Sequence, residues 1–281
     1  MLLLGIDLET GGDFNSPPEN NFITELGFVV WDTELGQPVR LENFLIDEDK
    51  EIHPKAVQYT GITTKMVRTY CTQIGIVWTV LSVWASKADY IVAHNGCKFD
   101  KQVIEAFAKR HKLPPLPDKV WLDTMTDINY PENCMSRNLT YLSAFHKILN
   151  YFQHRAVTDV LTMFEVMFMY PLEDIINNAK DPILTVRALT SFQEKDKAKE
   201  AGFYWKPDEL PDANGKKSGM WLKEVPFRKF NDLYNSTEFS MKIINITCRD
   251  KNINFSIDPL DYPQRLTWDK ELNNVFRTKF I

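Results

Sequence analysis

The chain has 281 residues, enough for two average domains, and its 33 Lys and Arg against 38 Asp and Glu give a net charge of −5. This charge excludes a protein that coats nucleic acid with a broadly basic surface. A hydrophobic fraction of 44% with 12% aromatic residues excludes a wholly disordered chain. Four widely spaced cysteines and a short apolar start predict reduced thiols and a cytoplasmic protein without a signal peptide or membrane partner.

The first part of the chain predicts three strands that form an antiparallel meander. Residues 2–8 and 23–31 are rich in apolar side chains and are separated by a turn-rich segment, and a third strand is expected at 38–46. Helical spacing of apolar residues and one short apolar run then predict helices over 72–86, about 99–110 and 138–149, and a strand over 89–93. This order predicts an α/β sandwich with a mixed sheet.

The first predicted strand ends in an acidic pair, Asp7 and Glu9. Side chains at i and i+2 of a strand point to the same side, so both carboxylates can face one cavity. They repel each other, and neither has a Lys or Arg as a sequence neighbour. Because carboxylate oxygens are hard ligands, a divalent cation such as magnesium or manganese is the simplest way to satisfy them.

Three further side chains could complete such a site. Asp100 begins a predicted helix, where an acid also stabilises the helix dipole without any other role. His154 and Asp159 are five residues apart, roughly 140° around an ideal helix, so both cannot face one site from a single helix. We expect His154 in the loop before the helix and Asp159 in its first turn. A histidine above carboxylates can act as a general base near neutral pH, although a histidine taken alone is more often a surface or packing residue.

In order along the chain, these residues resemble the three motifs of the DEDD 3′–5′ exonuclease superfamily in its histidine subtype, which includes proofreading epsilon subunits, exonuclease X and TREX-type nucleases. The matching motifs are Asp7-x-Glu9-Thr10, Asn95-x(3)-Phe99-Asp100 and His154-x-Ala156-x(2)-Asp159, with supporting segments at Ile23–Gly27, Gly61–Thr63, Asp123-Thr124 and Asn138–Leu142. The resemblance covers about residues 1–170, and the three motifs in order are far more specific than any one alone. It departs where Tyr59-Thr60 replaces an expected histidine, and where the loop from Asn95 to Asp100 is one residue longer than usual.

The resemblance implies an RNase H-like mixed sheet flanked by helices and a two-metal exonuclease that releases nucleoside 5′-monophosphates. Two magnesium ions, replaceable by manganese, would be held by Asp7, Glu9, Asp100 and Asp159, while His154 takes a proton from the attacking water. The implied substrate contacts are Leu8, Thr10, Phe14 and Phe99. The side chain of Leu8 or Phe14 could wedge against the terminal base, or could equally pack within the fold.

DNA with single-stranded or frayed 3′ ends is the expected substrate, because most of the resembled proteins with an attached domain act on DNA. An exoribonuclease is the first alternative, since the contacts that distinguish RNA are made to the 2′-hydroxyl and leave no motif. A catalytically idle nucleic-acid-binding or scaffold protein is the second. A polymerase partner is compatible with the sequence but no polymerase-binding tail indicates one, and the oligomeric state stays open.

The domain boundary is predicted near 170–182, where two prolines and two asparagines interrupt the helical pattern, giving an exonuclease domain over 1–175 and an accessory domain over 183–281. The second domain is expected to be a smaller α+β domain. Strands at 183–189 and 220–225 on either side of a charged helix over 194–201, with Gly202 as its C-cap, predict a small β-α-β module.

The helix and the residues after it interleave lysines with aromatic side chains. The pattern K-x-x-A-K-x-x-G-x-x-W, followed by W-x-K, resembles a small module of phage and mobile-element proteins. Lys195, Lys199, Tyr204 and Trp205 are candidate nucleic-acid contacts, because such interleaving suits stacking of single strands. In the alternative interpretation Ala198, Ala201 and Trp221 form a small core and the lysines are merely solvated. Residues 226–281 carry no recognisable chemistry.

Overall fold

The computed structural model describes residues 1–13, 16–207 and 219–249. The chain divides into two compact units, Met1–Ala179 and Lys180–Ile281, which we call the N-terminal and C-terminal units. The longest helix in the described ranges has 14 residues, so none of these helices could cross a lipid bilayer.

A five-stranded mixed sheet in the order β3-β2-β1-β4-β5 forms the centre of the N-terminal unit. The strands are β1 (Leu2–Thr10), β2 (Ile23–Asp32), β3 (Gln37–Leu45), β4 (Tyr90–Ala93) and β5 (Trp121–Asp123). The first three pair antiparallel, which confirms the predicted meander. Strand β4 is parallel to β1, and β5 is parallel to β4. Strand β5 was not predicted, because three residues are too few to show an alternation of apolar and polar side chains.

Helices cover the sheet on both faces. They are α1 (Pro54–Thr60), α2 (Thr64–Tyr70), α3 (Ile74–Lys87), α4 (Asp100–Arg110), α5 (Leu139–Phe145), α6 (Ala156–Met167) and α7 (Leu172–Lys180). One core layer packs Leu4, Ile6 and Leu8 of β1 against apolar residues of α3 and α4. The other packs Leu3 with residues of α5, α6 and α7. Because side chains alternate along a strand, the acidic residues at positions 7 and 9 lie on the face that α6 covers.

Two predictions about helices were wrong. Helix α5 ends at Phe145 rather than near 149, because the chain turns there and Lys147 takes a φ of +60°. Helix α7 fills part of the segment in which we expected an interruption. Pro171 immediately precedes that helix, where a missing N–H donor costs little, so the proline begins the helix instead of breaking it.

Two glycines let α6 lie close against the sheet. A Cβ on Gly5 of β1 would come within 2.4 Å of the Phe164 ring, and a Cβ on Gly27 of β2 would come within 2.4 Å of the Val157 amide nitrogen. Gly27 is paired with Asp7 in the register of β1 and β2. The first turn of α6 is therefore held directly over the carboxyl end of β1.

The C-terminal unit contains a four-stranded antiparallel sheet in the order β7-β8-β6-β9. Its elements in chain order are β6 (Ile183–Leu189), α8 (Lys195–Glu200), β7 (Tyr204–Pro207), β8 (Gly219–Pro226), α9 (Phe227–Ser236) and β9 (Ser240–Thr247). This β-α-β-β-α-β order with antiparallel neighbours is the ferredoxin-like arrangement. The core contains Leu184 and Val186 of β6 together with Phe230 of α9.

The predicted β-α-β module is therefore wrong as a description of this unit, although its two strands, its helix and the left-handed Gly202 (φ +80°) are present. The second predicted strand, β8, lies antiparallel to the first. Strand β7 was missed because all four of its residues are exposed and show no alternation, and α9 and β9 lie in the segment without recognisable chemistry.

Candidate active site

Three carboxylates meet at the carboxyl end of β1. Asp7 and Glu9 extend from β1, and Asp159 comes from the first turn of α6; one oxygen of each lies within 4.8 Å of the others. The i, i+2 spacing on the strand brings the first two together, and the close approach of α6 supplies the third. This cluster is the centre of the candidate site.

Asp100 adds a fourth carboxylate from the opposite layer. It is the buried first residue of α4. Among the neighbouring carboxylates its charge contributes most to the raised pKa of Asp7, which places it against the same cluster. A hydrogen bond from the Leu8 backbone partly offsets the effect of burial on the pKa of Asp100.

The lengthened loop before Asp100 is held in place by Asp123, an acid in one of the segments that support the resemblance. Buried Asp123, at the end of β5, accepts hydrogen bonds from the backbone N–H of Asn95 at 2.8 Å and of Cys97 at 3.3 Å. Asn95 takes a φ of +62°, which tightens the turn and takes up the longer spacing. Asp123 is an acid at the end of an apolar strand, the same signal that drew attention to Asp7.

Burial and mutual repulsion both favour the protonated forms of these carboxyl groups, and burial has the larger effect. Burial raises the pKa of Asp7 well above its ordinary value, that of Glu9 to about 8 and that of Asp100 to about 7, and the neighbouring carboxylates raise those of Asp7 and Glu9 further. Burial also raises the pKa of Asp159. Hard anionic oxygens that repel one another at close range fit a divalent magnesium or manganese ion.

Arg155, a cation beside the cluster, is already engaged. The Arg155 guanidinium donates to fully buried Glu25 through Nε at 3.0 Å and Nη2 at 2.6 Å. Glu25 also accepts the Ala156 N–H at 2.9 Å, which ties the start of α6 to β2. Sequence reasoning missed this pair, although a charged residue inside an otherwise apolar strand signals a buried partner.

His154 lies in the loop before α6, the placement expected from its spacing to Asp159. Its side chain is exposed, its φ is +60°, and its backbone N–H donates to Asp159 Oδ2 at 3.0 Å. The imidazole makes an edge contact with the Tyr59 ring at a centroid distance of 5.9 Å. The backbone of this loop is thus fixed to the carboxylate cluster while the imidazole stays accessible to solvent.

The residues that the resemblance implies as substrate contacts differ in how far they are buried. Leu8 is 6% exposed and packs in the core, so the interpretation of its side chain as a wedge is wrong: alternation turns it away from Asp7, and only its backbone can meet a substrate. Phe99 is half-buried against the same core, and Thr10 is half-buried at the end of β1. Phe14 lies outside the described residues.

The candidate contacts in the C-terminal unit do not form a single surface. Tyr204 and Trp205 are neighbours on β7, so their side chains point to opposite faces of the sheet. Lys195 and Lys199 lie on α8. Ala198 is fully buried in the core, with Ala201 and Trp221 packed against it, as the packing interpretation predicts.

Asn150 is a further residue that sequence reasoning missed, because a loop asparagine has no distinguishing pattern. Its side-chain amide donates to Asp159 Oδ1. We expect Asn150→Ala to weaken the affinity of the site for Mg²⁺ or Mn²⁺ by about 10- to 100-fold, the usual cost of losing a hydrogen-bond partner of a metal ligand. The measurement is the metal concentration that gives half-maximal thermal stabilisation.

The matched control for that substitution is Asn177→Ala, on the exposed side of α7. It should leave the metal dependence unchanged. Equal metal dependence of Asn150→Ala and wild type would show that the hydrogen bond to Asp159 does not position a ligand.

Without metal, we expect thermal stability to fall as the pH rises. The folded-state pKa values of about 8 for Glu9 and about 7 for Asp100 lie above the ordinary 4.5 and 3.8, so the folded state retains protons that the unfolded state has lost. Their contribution to the free energy of unfolding is present below pH of about 4 and is lost as the pH rises through the folded-state values. Melting temperatures in EDTA between pH of about 5 and about 8 measure this slope.

Added Mg²⁺ should raise the melting temperature more at the high end of that pH range, where fewer protons on the carboxylates compete with the metal. Glu9→Gln should make the slope in EDTA shallower. A melting temperature in EDTA that rises with pH, together with stabilisation by Mg²⁺ that does not depend on pH, would contradict this account of the cluster.

Comparisons with known proteins agree with this fold. A protein-family model for an exonuclease, RNase T, matches residues 4–167. Escherichia coli exonuclease I in complex with a dA16 oligonucleotide is similar with a TM-score of 0.57 and 18% identity, over 81% of this chain and 63% of that one. No curated protein sequence matches the chain.

Two other solved structures share the architecture. An exonuclease I structure, described in terms of how processivity is achieved, has a TM-score of 0.54 and 19% identity over 66% of this chain and 48% of its own. The nuclease domain of 3′hExo, a DEDDh family member bound to rAMP, has a TM-score of 0.50 and 16% identity over 60% of this chain and 90% of that one. The chain spans about half the length of several exonuclease I chains that it matches. The predicted RNase H-like mixed sheet flanked by helices is confirmed.

Proposed function

The chain belongs to the RNase T family of exonucleases, and we propose that it is a metal-dependent 3′–5′ exonuclease that hydrolyses terminal phosphodiester bonds of DNA. The observation that carries this proposal is the cluster of Asp7, Glu9 and Asp159, with one oxygen of each within 4.8 Å. Burying repelling carboxylates destabilises a fold unless they have a ligand. A catalytically idle binding protein would have no use for them.

We propose that Asp7, Glu9 and Asp159 hold a divalent cation, and that Asp100 extends the cluster so that two ions can be shared. When bound, such ions activate a water and stabilise the negative charge on the leaving oxygen. The ion pair between buried Glu25 and half-buried Arg155 keeps the start of α6, and hence Asp159, in place over β1. The carboxylates therefore stay preorganised before the substrate arrives.

In this proposal His154 is the general base. Its solvent-exposed imidazole lies on a loop whose backbone is hydrogen-bonded to Asp159, so it can reach the water that attacks the terminal phosphorus. It accepts one proton from that water and later returns it to solvent. The P–O3′ bond breaks, the shortened strand keeps its 3′-hydroxyl after protonation from solvent, and a nucleoside 5′-monophosphate leaves.

Exposed aromatic side chains beside the site support a single-stranded or frayed end as substrate. Tyr151 is 80% exposed and Phe152 is 66% exposed, and both directly follow Asn150, which is hydrogen-bonded to Asp159. Exposed rings of this kind can stack on unpaired bases, whereas paired bases already stack within a duplex. An exoribonuclease is the alternative, since exonuclease I has been solved with a DNA oligonucleotide and 3′hExo with rAMP.

The test is digestion of single-stranded DNA and RNA of one sequence, labelled at the 5′ end, with Mg²⁺ or with EDTA. We expect a ladder that shortens from the 3′ end in Mg²⁺, faster on DNA, and intact strands in EDTA. Faster loss of the RNA would identify the exoribonuclease. Intact strands in every lane, from protein shown to be folded, would contradict the proposed activity.

A further inference from the structure

The C-terminal unit contains a cleft of about 300 Å³ that none of the proposed chemistry uses. It lies where β6 ends and β8 begins, and its walls include Arg187, Ser191, Lys195, Trp205, Met220 and Trp221. The module pattern in the sequence supplies Lys195 and the two tryptophans. Residues far apart in the chain are thus brought to one cavity.

Trp205 forms an exposed aromatic wall of this cleft. Its ring meets the Trp221 ring at a centroid distance of 5.6 Å and an angle of 64°, and a Cβ on Gly219 would come within 2.5 Å of it. The indole is therefore supported by β8 while remaining 48% exposed. A large supported ring with an open face can stack on a nucleobase at little cost in side-chain entropy.

The charge of the cleft suits phosphate. Lys195 contributes to its wall, and none of the described residues that line it is acidic. Glu194, which neighbours Lys195 in the chain, accepts hydrogen bonds from the backbone and hydroxyl of Ser191 in a capping box. Residues 180–281 contain 18 Lys and Arg against 15 Asp and Glu, a net +3, although the whole chain carries −5.

We propose that this cleft binds a nucleotide of single-stranded nucleic acid, with the base against Trp205 and the backbone phosphate near Lys195. For the identity of its ligand, the inference rests on the proposed function, because the strand is then the nuclease substrate. Tyr204 points to the other face of β7 and takes no part. The cleft gives the chain a second contact with the strand, separate from the acidic site in the N-terminal unit.

The test measures binding of a fluorescein-labelled dT20 strand to the full-length chain by anisotropy in EDTA, where no cleavage occurs. Trp205→Ala should weaken binding by about tenfold or more, the range expected for loss of one stacked base. Tyr204→Ala is the matched control, since it removes an exposed ring from the same strand, and it should change affinity less than twofold. Trp205→Phe should retain most of the affinity, which separates loss of stacking from loss of folding.

The phosphate contact is tested by measuring how the affinity depends on salt concentration. Lys195→Gln should reduce the slope of log affinity against log salt concentration by about 0.7, the contribution of one phosphate contact on a single strand. An unchanged slope, unchanged affinity of Trp205→Ala, or equal weakening by Trp205→Ala and Tyr204→Ala would each overturn the proposal.

These results are independent of cleavage. A wild-type chain that binds through Trp205 yet leaves strands intact in Mg²⁺ would refute the proposed nuclease and leave this site standing. A chain that cleaves in Mg²⁺ while Trp205→Ala binds normally would support the proposed nuclease and refute binding in this cleft.

Discussion

Replacing Asp7 with alanine is expected to lower the rate of 3′-end hydrolysis by about a thousand-fold or more, as removal of a residue central to a catalytic unit does. Asp7 lies in the middle of the cluster, where Asp100, Glu9 and Asp159 all raise its pKa. Its removal should abolish binding of Mg²⁺. Because it also removes repulsion, the melting temperature in EDTA should stay equal or rise.

The measurement combines initial rates on 5′-labelled single-stranded DNA with melting temperatures in EDTA and in Mg²⁺. Glu105→Ala, which removes an exposed acid from α4, is the matched control and should behave like wild type. Retained hydrolysis in folded Asp7→Ala protein would place the chemistry elsewhere. A large fall in stability in EDTA would instead make Asp7 a structural residue.

The second large effect is expected from His154→Ala, which should reduce the rate by about 10²- to 10⁴-fold, the usual contribution of a general base. The measurement is the initial rate on 5′-labelled single-stranded DNA in Mg²⁺ at one pH. Metal binding should persist, because His154 contacts Asp159 through its backbone N–H and not through its ring.

A matched control for His154→Ala is His146→Gln, whose amide can keep the hydrogen bond that the imidazole of His146 makes to the Tyr170 hydroxyl. That variant should retain the wild-type rate. If His154→Ala loses activity together with metal binding, the histidine organises the site and does not act as the base. If it retains the wild-type rate, another group accepts the proton.

The parts of the site that sequence could predict are those with a local pattern. Asp7 and Glu9 were identified because two acids end an apolar strand two residues apart, and the positions of His154 and Asp159 followed from the geometry of a helix start. The meander of β1, β2 and β3 followed from apolar runs separated by turn residues.

The residues that support the site depend on tertiary packing and were missed for that reason. Glu25 and Arg155 are 130 positions apart, and nothing in either segment identifies the other as its partner. The hydrogen bond from Asn150 to Asp159 depends on how the loop folds back over the first turn of α6. The tie between Asp123 and the loop at Asn95 likewise depends on β5 pairing with β4.

The arrangement of strands in the C-terminal unit could not be predicted from the sequence, for a related reason. Its sheet places β8 between β6 and β7. The β-α-β unit is therefore split, and β6 does not pair with β7, the next strand in the chain. Strand β7 has only four residues, all exposed, and carries no apolar alternation. Pairing across such distances is set by the whole sheet and leaves no local signature.

The most direct test of the central claim is the amount of Mn²⁺ that the protein binds at pH of about 8, where fewer protons compete with the metal than at lower pH. Electron paramagnetic resonance of free Mn²⁺ measures this without reference to activity. We expect wild-type protein to deplete free Mn²⁺ in a saturable manner, Mg²⁺ to reverse the depletion, and Asp7→Ala to abolish it. Equal free Mn²⁺ in the presence of wild type and of Asp7→Ala would contradict a metal site at Asp7, Glu9 and Asp159.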